Sequence, residues 1–187
     1  MLGALILTGG RSSRMGEDKA VQLWGGRRAV DLAAALAGQV GATVILTVGG
    51  REYGYPFVGD PTPGGGPVGG VAAGAGALAA AGCRRALVLA VDAPTVTPED
   101  LAPLLAAPSP GATYAAFPLP MVADIARLPP EARPDWPLAR LAERAGLAEL
   151  ACAPDRAARL RGANTPAERE RLLARLPRAP AGRAPGR

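Results

Sequence analysis

Lys19 is the only lysine in a chain of 187 residues; every other basic side chain is an arginine. It closes the run Leu7-Thr8-Gly9-Gly10-Arg11-Ser12-Ser13-Arg14-Met15-Gly16-Glu17-Asp18-Lys19-Ala20. A lysine is a compact point charge that follows a phosphate through a reaction, whereas the rigid arginine fork clamps one geometry. Gly9 and Gly10 let the backbone approach a phosphate and aim N–H groups at it, and Arg14 and Lys19 supply charge to neutralise a triphosphate. Arg11 either joins them or faces solvent. The run is not a Walker loop: two acids stand before Lys19, and Ala20 occupies the place of the metal-binding Ser or Thr. It also lacks the G-x-G-x-x-G spacing of dinucleotide-binding dehydrogenases.

Two carboxylates complete the candidate chemistry. Asp92 ends the apolar run Arg85-Ala86-Leu87-Val88-Leu89-Ala90-Val91 and precedes Ala93-Pro94. A carboxylate placed there costs desolvation unless it meets a cation, and Mg²⁺ commonly combines one or two carboxylates with substrate phosphates. Asp60 opens the loop Asp60-Pro61-Thr62-Pro63-Gly64-Gly65-Gly66-Pro67. A carboxylate accepts from both the ring N–H and the amino group of guanine, so Asp60 suits a guanine edge; an acid near a helix start, or a plain Gly/Pro turn, suits the same sequence. Histidine is absent, which removes Ser-His-Asp triads, Cys-His pairs and histidine-held zinc.

Periodicity supplies the elements that must hold these groups. Short continuous apolar runs at Gly3–Leu7, Ala42–Val48 and Arg85–Val91 read as strands buried on both faces, with a short strand at Tyr55–Val58. Helical spacing runs from Ala29 to Gly41 and from Pro67 through Leu78 to a stop at Gly82. Thr97-Pro98-Glu99-Asp100 and Thr165-Pro166-Ala167-Glu168 are helix starts, the second running through Leu173. Between them the pattern weakens, predicting strands at Thr113–Phe117, Met121–Ile125 and Leu150–Ala153 and a helix over Trp136–Arg144. The alternation predicts a three-layer, doubly wound α/β fold with a mostly parallel sheet, which binds ligands outside the C-terminal strand ends, where the three polar clusters fall.

About half of the residues are apolar, enough for one full core, so a domain over 1–175 and a disordered Pro/Ala/Arg-rich tail over 176–187 are expected. The formal charge of +5 owes four units to Arg175, Arg178, Arg183 and Arg187, so the body is nearly balanced and nucleic acid is not expected as a partner. Tyr53 and Tyr55 near Arg51 form no repeated aromatic and basic platform. Cys83 and Cys152 read as small core residues. The run Leu2–Leu7 is too short for a signal peptide or membrane span, which predicts a cytoplasmic protein with no membrane partner.

The glycine-rich run to Lys19, Asp60 followed by Gly66-Pro67-Val68-Gly69-Gly70, Val91-Asp92-Ala93-Pro94, and Asn164-Thr165-Pro166-Ala167-Glu168 together resemble the molybdenum cofactor guanylyltransferases, within the Rossmann-like nucleotidyltransferases. The resemblance implies transfer of GMP from GTP to the terminal phosphate of molybdopterin, with release of pyrophosphate. It implies that Leu7, Thr8, Gly9, Gly10 and Gly66 line the nucleotide pocket, that Arg14 and Lys19 hold the phosphates, that Asp60 contacts guanine, that Asp92 holds Mg²⁺, and that Asn164 stands on the metal and acceptor side. Transient contact with cofactor-synthesis proteins or a client molybdoenzyme is implied with it. Leu46-Thr47-Val48-Gly49 lacks the asparagine frequent on the base side of the family, and Tyr114-Ala115-Ala116-Phe117 passes into Pro118 without the usual polar insert. Cytidylyl transfer, transfer to another small phosphorylated acceptor, and a non-catalytic nucleotide-binding accessory role are the alternatives.

Overall fold

The computed structural model describes residues 1–9, 18–62, 64–163 and 165–174. Strand β1 (Leu2–Leu7) is followed by a 3-10 turn (Lys19–Val21) and the small hairpin β2 (Leu23–Trp24) and β3 (Arg27–Arg28). Then come α1 (Ala29–Gln39), β4 (Val44–Gly49), β5 (Phe57–Gly59), α2 (Pro67–Ala80), β6 (Arg85–Ala90) and α3 (Pro98–Ala106). The second half holds β7 (Gly111–Tyr114), β8 (Phe117–Asp124), a 3-10 turn (Ile125–Arg127), α4 (Leu138–Arg144), β9 (Ala148–Leu150), α5 (Pro154–Leu160) and α6 (Pro166–Leu173).

Seven strands form one sheet in the order β5-β4-β1-β6-β8-β7-β9. The β5-β4, β4-β1, β1-β6 and β7-β9 pairs are parallel, and β8 runs antiparallel to both β6 and β7. Strand β1 is buried on both faces because its side chains alternate between two cores. Leu5 and Leu7 pack with Val68, Val71 and Leu78 of α2 and Leu141 of α4. Ala4 and Ile6 point the other way, toward α1, α3 and α5. The three layers and the mostly parallel sheet therefore match the sequence-based expectation.

The differences lie in the second half. The strand expected over Thr113–Phe117 is instead a turn at Ala115–Ala116, where Ala116 takes φ of +65°. Alanine carries no turn signal, so tertiary pairing rather than local chemistry decides that reversal. Strand β8 begins at Phe117, four residues ahead of Met121, and tolerates Pro118 and Pro120 because its ladder with β6 begins only at Met121. The strand expected at Leu150–Ala153 is Ala148–Leu150, α4 starts two residues after Trp136, and α5 and the β2-β3 hairpin are additions that two- to seven-residue segments do not signal by periodicity. Cys83 is buried in the core as expected, but Cys152 is only partly covered.

Thr97 and Asp100 form a reciprocal capping box at the start of α3, and Asp100 is fully buried. Both of its carboxylate oxygens accept from Arg159 of α5, at 2.8 and 2.7 Å. Burial pushes the Asp100 carboxyl up, but the Arg159 hydrogen bonds, the Thr97 N–H and the Arg159 charge together hold it below the usual carboxylate range.

Helix α2 approaches the sheet through glycines. A Cβ on Gly74 would lie 2.7 Å from a Leu5 methyl, and one on Gly70 2.8 Å from a Val48 methyl, while Gly76 faces open space. Overpacking a core costs about 1–3 kcal/mol, against a helix-propensity gain of about 0.5–1 kcal/mol for Gly to Ala. Gly74→Ala is expected to destabilise the domain and Gly76→Ala to stabilise it by about 0.5–1 kcal/mol; urea unfolding midpoints of the two variants check the opposite signs.

Candidate active site

Because β1, β4, β5 and β6 are mutually parallel, their C-terminal ends open onto one rim, and the chain emerging from each carries a residue singled out in the sequence. At the end of β1, Leu7 is buried and Thr8 donates twice to the carbonyl of Val48, from its backbone N–H at 2.9 Å and its hydroxyl at 3.0 Å. A Cβ on Gly49 would lie 2.5 Å from Thr8 Oγ1 and 2.9 Å from the Gly9 nitrogen, so only glycine lets β4 lie this close to the start of the loop.

The far end of that loop is held separately. Asp18 caps the 3-10 turn by accepting from the Ala20 N–H at 3.0 Å. Its other oxygen accepts from the Tyr53 hydroxyl at 2.9 Å and pairs with Arg51 at 3.1 Å. Tyr53 is buried. Burial, then the Asp18 hydrogen bond and charge, push the Tyr53 phenol up to about 12. Arg51, Tyr53 and Tyr55 thus act on carboxylates within the chain: Tyr55 donates to Asp31, which Arg28 grips with two bonds at 2.7 and 2.6 Å.

The Lys19 side chain and the Asp92 backbone meet at a single residue, Ala163. The Lys19 ammonium donates to the Ala163 carbonyl at 3.1 Å, and the Ala163 N–H donates to the Asp92 backbone carbonyl at 3.0 Å. Next to them, a Cβ on Gly162 would lie 2.9 Å from both Cγ and Oδ2 of Asp92, so the missing side chain leaves the carboxylate room against the strap that joins α5 to α6. Lys19 and Asp92 are both half-buried, and Asp92 and Gly162 form the polar end of an otherwise apolar cavity of about 250 Å³. The lone lysine therefore reaches the same residue, Ala163, that the backbone of Asp92 contacts.

Asp60 stands on the opposite flank, beyond β5. Its N–H donates to the Gly49 carbonyl at 3.1 Å, and its carboxylate accepts from the Thr62 N–H at 3.0 Å. Three interstrand spacings of about 4.8 Å separate its strand from that of Asp92, roughly 14 Å in all. Gly66 precedes α2 with φ of +121°, and a Cβ there would lie 2.6 Å from the Pro134 carbonyl, so the glycine is required by the fold at this turn. Gly10, Arg14 and Asn164, like Arg11 and the tail from 175 onward, lie outside the described residues. Among the described residues no three His, Cys, Asp or Glu side chains gather as a metal cluster, and no helix is long and apolar enough to cross a membrane.

Sequence reasoning missed the Tyr53 contact with Asp18 and the close approach of Gly162 to Asp92. Tyr53 shows no signal beyond proximity to Arg51, and Gly162 none beyond lying two residues before Asn164, since each works through a partner distant in the chain.

The fold is that of nucleotidyltransferases. A 4-diphosphocytidyl-2C-methyl-D-erythritol synthase superposes with a TM-score of 0.69 at 15% identity, covering 92% of this chain and 96% of that one. Molybdopterin-guanine dinucleotide biosynthesis protein A from Archaeoglobus fulgidus superposes with a TM-score of 0.58 at 18% identity, covering 93% and 97%. The family model of the MobA-like NTP transferase domain matches residues 4–175, and the chain belongs to that family. A molybdenum cofactor guanylyltransferase from Xanthomonas euvesicatoria pv. vesicatoria is 40% identical over 103 residues, 54% of this chain and 52% of that protein. A probable molybdenum cofactor guanylyltransferase from Pelotomaculum thermopropionicum is 38% identical over 99 residues, covering 51% and 47%. The matched stretches thus span about half the length of these curated relatives.

The Tyr53 bond carries a pH signature. A phenol whose native pKa is raised contributes stability that is complete below its unfolded value of about 10 and is lost as pH climbs through the native value. Tyr53→Phe is expected to cost about 1.5–3 kcal/mol near neutrality, the range for a hydrogen bond to a charged group. Chemical denaturation at pH 8 should show that difference in full, and denaturation above pH 10 should show it shrinking.

Proposed function

We propose that this chain catalyses Mg²⁺-dependent transfer of GMP from GTP to the terminal phosphate of molybdopterin, releasing pyrophosphate, and that it works in the cytoplasm. The observation that carries the reading is the Ala163 backbone, whose C=O accepts from the lone ammonium and whose N–H donates to the backbone carbonyl of Asp92, at the end of the central strand. The family and the printed names of the two relatives narrow the class of reaction to cofactor nucleotidyl transfer.

The residues present fit a divalent ion. Asp92 offers hard carboxylate oxygens, and Gly162, lacking a Cβ, leaves open a cradle against that carboxylate. Asp92 would hold Mg²⁺, with Asn164 on the same side by the family resemblance and phosphates completing the ligand set. When bound, the ion would supply charge neutralisation to the phosphate oxygens.

The acceptor phosphate is already anionic near neutral pH, so no strong base is needed and the lack of histidine is no obstacle. Its oxygen attacks the α-phosphorus in line; the bond to the bridging oxygen breaks, and pyrophosphate leaves with that electron pair. Lys19 follows the departing charge and Arg14 holds the triphosphate, so catalysis is positioning and electrostatic stabilisation. Gly9 and Gly10 give the backbone N–H groups access to the phosphates. Asp60 reads the guanine edge, its distance from Asp92 across the rim suiting a nucleotide laid over the strand ends with its base beyond β5 and its phosphates at β1 and β6. Leu7, Thr8 and Gly66 shape the pocket between.

Pyrophosphate release assayed with each nucleoside triphosphate, with and without molybdopterin and Mg²⁺, tests the reading. GTP should be required together with acceptor and metal. Dependence on CTP would redirect it to cytidylyl transfer, and GTP binding with no acceptor-dependent release would make the protein an accessory. Lys19→Ala and Asp92→Ala should each lower kcat by about a hundredfold or more, the scale of losing one preorganised electrostatic contact to the transition state. Turnover near that of the unaltered protein in either variant would remove that residue from the mechanism.

A further inference from the structure

We propose that the buried Asp100–Arg159 pair is a positioning device for the active site, setting the strap that carries Gly162 and Ala163 against Asp92 and Lys19. The chain between Asp92 and Asp100 and the chain between Arg159 and Ala163 are cross-linked at both ends. At one end Ala163 donates to Asp92, and at the other Arg159 donates to both carboxylate oxygens of Asp100. Between them the buried Thr95 hydroxyl donates to the Arg159 carbonyl at 2.8 Å. Rotating or sliding α5 therefore moves Ala163 relative to the acid it contacts.

The surroundings fix Asp100 in turn. The Tyr114 hydroxyl donates to the Asp100 carbonyl at 2.7 Å, and Arg156 lies over the Tyr114 ring, 4.9 Å from its centroid, while its Nε stands 3.4 Å from the carboxylate. Past the strap, Arg169 of α6 donates to the Leu23 carbonyl at 2.9 Å and lies over the Trp24 ring, fastening the outgoing helix to the hairpin that follows Lys19. Asp100 is fully buried while the Arg159 side chain stays 34% exposed, and a pair with a buried charge is often replaceable by apolar residues without loss of stability, so stability is a weak account of it. A two-bond fork from guanidinium to carboxylate sets direction as well as distance, which is what a strap aimed at two functional groups needs.

The catalytic consequence rests on the transferase reading, so the test has one arm that needs no substrate. In Arg159→Lys, which keeps the charge but loses the fork, and in the neutral double variant Asp100→Asn with Arg159→Gln, hydrogen exchange is followed at two amides. They are Ala163, bonded to Asp92, and Leu147, bonded to Ala142 on the opposite face of the sheet at 3.0 Å. Leu141→Val, which loosens the core on the α4 side, is the control. In both strap variants Ala163 protection is expected to fall tenfold or more with Leu147 unchanged, and kcat to fall about tenfold with a smaller change in KM for GTP. Leu141→Val should leave Ala163 exchange and kcat near those of the unaltered protein. Unchanged Ala163 protection, an equal loss at Leu147, or undiminished turnover behind a loosened strap would each overturn the assignment. If the unaltered protein transfers no nucleotide at all, the transferase reading fails while the exchange arm still judges the positioning.

Discussion

The backbone of one residue, Ala163, organises the candidate site. Its N–H satisfies the carbonyl of Asp92 and its C=O receives the ammonium of Lys19, so three segments far apart in the chain close on each other through two hydrogen bonds. Buried backbone donors and acceptors must find partners, and at the end of a sheet no further ladder supplies them. The strap between α5 and α6 fills that vacancy for β6, and in doing so brings Gly162 against the carboxylate.

Both described ends of the run leading to Lys19 are anchored. Thr8 is held to Val48 as the loop begins, and Asp18 is held by Tyr53 and Arg51 as it finishes. Fixing both ends of a segment removes part of the chain entropy that ordering it around a ligand would otherwise cost. Close approach is repeated where the scaffold meets the site. Gly49 admits the start of the loop, Gly66 admits the Pro134 carbonyl, and Gly162 admits the Asp92 carboxylate.

The division between arginine and lysine follows the same logic. Arginine makes each described ion pair with known geometry, from Arg28 with Asp31 through Arg85 with Asp124 to Arg159 with Asp100. The exposed ones, such as Arg133 with Asp135, add little to stability. The Asp100–Arg159 pair differs in that its carboxylate is fully buried and both of its oxygens accept from one guanidinium. The one lysine instead donates to a backbone carbonyl, that of Ala163.

Read from residues alone, this chain declared its three layers, the parallel strands β1, β4 and β6, and the helices α1, α2, α3 and α6. Those features rest on local patterns: apolar runs of strand length, helical spacing, capping boxes and glycine clusters, all of which act within a few residues of themselves. The reversal at Ala115–Ala116, the helix α5 and the anchoring of Asp18 by Tyr53 rest on contacts across tens of residues, with no local signal to announce them. The meeting of Lys19 with Asp92 belongs to the same class. Residue types and spacing named both groups, but their distance depends on where the strap at Gly162 and Ala163 packs, and only the tertiary structure decides that, because a hydrogen bond between residues 144 positions apart has no trace in a local window.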